Sequence, residues 1–118
     1  MFRTVLAAVL VSLACIGCSS KELAFELPAA EPVRVYDFNS KSERLLLPES
    51  AEHRELAQWV SNHRGGWAPY FATPPALGIM VRAGQLNLQF IDTTVLAHTS
   101  EGVFERSVVP AEYAFLRQ

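Results

Sequence analysis

The residues of this chain equipped for chemistry are three histidines, a serine among carboxylates, and a run of aromatic side chains. A zinc site needs three or four ligands at short, matched spacings, and the histidines are His53, His63 and His98, with no His-Glu-x-x-His pattern. On one helix His53 and His63 would stand about 80° apart in projection and some 15 Å apart along the axis, so they cannot share an ion. No metal and no cofactor is therefore expected. Nucleophilic catalysis has one candidate cluster, His98 with Ser100 or Glu101 and with Asp92 nearby in the chain, which would make a small hydrolase. It lacks the Gly-x-Ser-x-Gly elbow, and polar residues gather at strand ends for turn chemistry alone. Glu101 and Glu105 straddle a turn in a chain too short for an extended sugar cleft. Gly65-Gly66 is not followed by Lys and Ser or Thr in the register of a phosphate loop.

The aromatic run is the stronger candidate. Trp67, Tyr70 and Phe71 lie in a proline-rich stretch, Trp67 to Pro75, just after His63 and Arg64. Rigid rings rimmed by an arginine could form a binding patch for a protein or a glycan, because they bury a large area at small entropic cost. Alternatively the rings fold back to plug the open end of the core. A domain of about 100 residues needs its large side chains inside, which favours packing.

The elements that position these residues can be read from periodicity. Val33 to Phe38 alternates, Asn39 to Ser42 is turn chemistry, and Glu43 to Leu47 returns, a β-hairpin. Pro48-Glu49-Ser50 opens a helix whose Leu56, Trp59, Val60 and His63 share one face while Glu55, Gln58 and Asn62 face water. Gly65-Gly66 ends it. After the aromatic loop come strands at Leu77 to Arg82, Leu86 to Ile91, Val95 to His98 and Val103 to Val109, with turns at Ala83-Gly84-Gln85 and Thr99 to Gly102. A short helix follows from Pro110, packing Tyr113, Phe115 and Leu116. In shorthand the order is ββαβββα, an α+β class with a small antiparallel sheet and one main helix on one face.

Length and composition limit the whole. The chain has 118 residues, half of them apolar, 12 acidic and 10 basic side chains, seven Pro and two Cys, enough for one small domain. Val5 to Ile16 is uncharged behind Arg3, the layout of a secretory signal peptide. As a helix that run spans roughly 18 Å, short of the roughly 30 Å hydrocarbon core.

The end of this segment, Leu13-Ala14-Cys15-Ile16-Gly17-Cys18, resembles the lipobox of bacterial lipoprotein precursors. The resemblance covers the signal alone. It implies removal of residues 1–17, diacylglycerol on the Cys18 thiol and acylation of the new amino group, with Cys15 as the alternative acceptor. Cys18 is favoured because Gly17 precedes it and Ser19-Ser20-Lys21 opens a polar stretch. For a Gram-negative source, Ser19 rather than Asp after that cysteine implies the outer membrane. Residues 18–32 then form a lipidated, extended tether with a reach of about 45 Å, on which Phe25 and Leu27 can dock, and residues 33–118 the single domain. Cleavage there leaves no thiol pair for a disulfide and nine basic against twelve acidic side chains, which with export disfavours nucleic acid. The expectation is a membrane-anchored, periplasm-facing accessory module that binds a protein or envelope polymer without chemistry, of inhibitor or immunity type, the alternative being the hydrolase at His98.

Overall fold

The computed structural model describes residues 20–117, so the lipidation candidates Cys18 and Cys15 lie outside the described residues. The elements are β1 (Val33–Asp37), β2 (Ser42–Leu46), α1 (Ala51–Asn62), β3 (Ala68–Pro69), β4 (Ile79–Ala83), β5 (Leu86–Ile91), β6 (Thr94–Thr99), β7 (Gly102–Ser107) and a 3-10 helix, Pro110–Leu116. All seven strands join one antiparallel sheet in the order β2-β1-β4-β5-β6-β7-β3. The class is α+β. The six strands read from periodicity are present, one more than the shorthand ββαβββα counts, and Ala68–Pro69 adds a two-residue strand beside β7. The C-terminal segment closes as a 3-10 helix, entered through Pro110.

Local chemistry explains the elements. Ser50 caps α1 by accepting from the His53 amide at 3.1 Å, and Glu52 lies in the first turn against the positive dipole end. His63 is the C-cap, and Gly66 takes the positive φ of +82° that the outgoing chain needs. Gly78 is required more strictly, since at φ +80° an added Cβ would overlap the Phe90 carbonyl oxygen.

Alternation along the strands divides the sheet into two faces. Val33, Val35, Ile79, Val81, Leu88, Phe90, Val95 and Ala97 form the inner face, packed with Leu56, Trp59 and Val60 of α1. Trp59 meets Phe90 edge to face at 5.1 Å, and Tyr113 from the 3-10 helix lies 4.9 Å from the same ring. The Tyr113 hydroxyl donates to the Asp92 carbonyl, so its one polar group is satisfied.

One boundary needs correction. Residues 18–32 are not a free tether from Lys21 onward, because Lys21 and Trp67 exchange backbone hydrogen bonds of 2.6 and 3.1 Å and the Leu23 amide donates to the Arg64 carbonyl. Leu23 is 5% exposed and belongs to the core, with Phe25 and Leu27 packed beside it. The physical reason is the alternation Leu23, Phe25, Leu27, which presents one apolar edge. This strap, Lys21 to Pro32, belongs to the folded unit.

Candidate functional site

The aromatic candidates divide. Trp67 is fully buried, with Phe25 edge-on at 5.6 Å and its indole N–H donating to the His63 carbonyl at 2.6 Å. It is a core residue and takes no part in a surface. Tyr70 is half-buried, and Phe71 is 92% exposed. Arg64 is half-buried with Nε unpartnered, while His63 stacks on Trp59 at 4.1 Å and lies 3.2 Å from the Glu112 carboxylate. Glu112 also accepts from the Val109 amide and from the Trp59 indole. The Val109 bond is the first cause that holds its carboxyl below the ordinary value. Those contacts tie α1 to the 3-10 helix. His63, Arg64, Trp67, Tyr70 and Phe71 therefore do not make one patch.

The catalytic candidates separate too. Ser100 is exposed in the β6–β7 turn, Glu101 is bound by Lys21 at 2.7 Å, and Asp92 sits at the opposite end of β6, roughly 20 Å along the strand from His98. The Lys21 ammonium lowers the Glu101 carboxyl. His98 turns instead to Gln89. Gln89 donates from Nε2 to the carbonyls of Pro75 and Leu77 at 2.6 and 3.0 Å, so its Oε1, 3.1 Å from His98 Nε2, must accept from the ring. The neutral imidazole then keeps its lone pair on Nδ1. Burial first, and then the Arg82 guanidinium, push the His98 pKa below its ordinary value. His53 is also buried, with Nε2 at 2.9 Å from the Glu31 carbonyl, a structural role the sequence spacing did not show. Among the described residues no three His, Cys, Asp or Glu side chains converge as a metal would require.

What the strands do bring together lies on the outer face. The loop from Tyr70 to Leu77 crosses β5 and β6, pinned by the Tyr70 amide on the Val103 carbonyl and by the Gln89 side chain, and Gln89 and Leu96 are buried there. Over β1 and β4 this face is uncovered. A hollow of about 210 Å³ remains there, lined by Arg34, Tyr36, Phe38, Glu43, Met80 and Arg82. Tyr36 and Phe38 stand edge to face at 4.9 Å. Arg34 and Arg82 are direct partners across β1 and β4, an arrangement of like charges that costs stability. Glu43 reaches Arg34 at 3.2 Å, and among the described residues Arg82 has no carboxylate partner. Beside Arg82 in the register stands Asn87, whose buried Oδ1 has no donor.

Sequence reasoning missed this hollow, although a signal was present. In Val33 to Phe38 the valines hold one parity, so Arg34, Tyr36 and Phe38 must share the other, and two aromatic rings on that parity mark a face that is not simply solvated. Comparison with protein-family models, curated proteins and solved structures gives no match.

Proposed function

We propose that this chain is a membrane-anchored binding module of the cell envelope, acylated at Cys18 and facing the periplasm from the outer membrane. In this reading the outer face over β1 and β4 binds a protein segment or envelope polymer without chemistry. The observation that supports it is the hollow itself: two facing arginines beside an aromatic pair, with its one carboxylate, Glu43 on β2, engaged by Arg34 and none at Arg82. Such a surface suits an acidic group carrying an apolar or flat neighbour, since each guanidinium can fork onto a carboxylate or phosphate while the rings cover the rest. The volume suits one side chain or one sugar ring. Pockets for whole small molecules run larger, at about 300 Å³ and above.

The test is a comparison of captured material. The domain from Ser20 onward, immobilised, should retain an envelope component that is lost in a Tyr36→Ala, Arg82→Glu double variant whose circular dichroism is unchanged. The purified component should then bind the unaltered domain again. Retention by the double variant would move the binding surface elsewhere. For the anchor, Cys18→Ala should abolish lipid labelling, and persistent labelling would assign the acceptor to Cys15.

A further inference from the structure

Phe71 has no structural work to do: it is 92% exposed, in a loop that begins where the Tyr70 amide is fixed to the Val103 carbonyl. A single exposed ring is ordinary on a protein surface, so exposure alone does not say whether anything covers it. Its position relative to the N-terminus says what could. The Lys21 to Trp67 pairing is antiparallel, so the chain followed backward from Lys21 runs the same way as the chain followed forward from Trp67 toward Phe71. Only Ser19 and Ser20 separate Lys21 from Cys18, a reach of at most about 11 Å. Phe71 lies four residues beyond Trp67, roughly 13 Å in that direction. Because the strap is packed from Lys21 onward, no long tether holds this end of the domain away from an acylated Cys18.

We infer that the Phe71 loop is the membrane-contacting edge of the domain, with the ring of Phe71 seated in the headgroup layer of the bilayer that holds the N-terminus. The inference rests on the anchoring reading above and goes beyond it by giving the domain a fixed orientation. In that orientation the β4–β5 and β6–β7 turns are proximal, and the β1–β2 and β5–β6 turns point away. Glu22, Glu26 and Glu31 are exposed around the groove at the proximal end. These carboxylates favour zwitterionic headgroups, whose ammonium groups face outward, over an anionic surface. One aromatic ring seated about 5 Å into the interface is a weak contact alone, yet beside a covalent lipid it is an intramolecular event.

The experiment uses the full acylated chain with one added thiol, Ala72→Cys, carrying a nitroxide next to an intact Phe71, and a second sample labelled through Asn39→Cys in the distal β1–β2 turn. Both are reconstituted in phosphatidylcholine vesicles. The expected result is that the label at position 72 is several-fold less accessible to a water-soluble nickel complex than the label at 39. Phe71→Ser, or replacing half of the lipid by phosphatidylglycerol, should narrow the gap. Equal accessibility at 72 and 39 in protein that floats with the vesicles overturns the inference while leaving the anchor standing. Protein bearing Cys18 that fails to float overturns the anchoring reading, and the inference with it.

Discussion

On the inner face of the sheet, α1, the strap and the 3-10 helix leave Val35, Val81, Leu88 and Phe90 no more than 2% exposed. On the outer face of the same strands, Tyr36 and Met80 are only half-buried and Arg82 is exposed. The alternation that makes both faces is identical, so strand sequence alone does not account for the difference. It comes from what lies on top: three segments cover the inner face, while the outer face has a single loop held by Gln89. Stability is thus concentrated on one side, and the other side is free to be selected for contact.

The two faces should respond differently to substitution. Trp67→Ala removes a fully buried ring and the support of the strap, and should cost roughly 3 to 5 kcal/mol in urea unfolding; Trp59→Ala should cost a similar amount. A loss below about 1 kcal/mol at either ring would show that the inner face is not the stabilising one. Gly78→Ala combines a left-handed φ with overlap onto the Phe90 carbonyl and should cost about 2 to 3 kcal/mol by the same measurement. Gln89→Ala unties the loop from the outer face and should cost about 2 kcal/mol. Amide exchange should then quicken from Tyr70 to Leu77 and stay unchanged in α1.

Smaller effects sharpen the picture through pH. His98 has its pKa lowered in the fold from an ordinary 6.5, so as pH falls through about 6.5 the unfolded chain takes up the proton first. The stability linked to His98 is therefore complete above that pH and is lost below it, down to the folded value. Glu112 is lowered from 4.5, so its share is present above about 4.5 and is lost as pH falls further. His98→Asn should flatten the first slope and leave the second, as read by thermal melting across pH. The smallest effect is at the ring left outside: Phe71→Ser should change stability by no more than about 0.5 kcal/mol.

Much of the inner face was legible in the sequence because it depends on local rules. Leu56, Trp59 and Val60 share a helical face and are buried, and Glu55, Gln58 and Asn62 are exposed, as their spacing requires. The turns at Gly84 and Gly102 follow from a residue type that takes positive φ freely. The rest was hidden because it is tertiary. Trp67 sits in a proline-rich stretch with no periodicity, and its burial is settled by pairing with Lys21, 46 positions earlier in the chain. The strap offers only three alternating apolar residues before Pro28, too few to distinguish a docked edge from a tether. The covering of Gln89 and Leu96 depends on where the Pro75 and Leu77 carbonyls land, which no pattern within the loop encodes. For His98, sequence proximity to Ser100 and Glu101 suggested a cluster, but strand alternation and the turn aim the three side chains apart.

The most direct test of the outer face as the binding surface is site-specific photo-crosslinking in the intact envelope, with the reactive residue placed at Tyr36, at Arg82 or at Gln58 on the exposed side of α1. Positions 36 and 82 are expected to give discrete adducts, and position 58 none. Adducts from 58 with none from 36 or 82 would contradict that expectation and move the binding surface to the helical side.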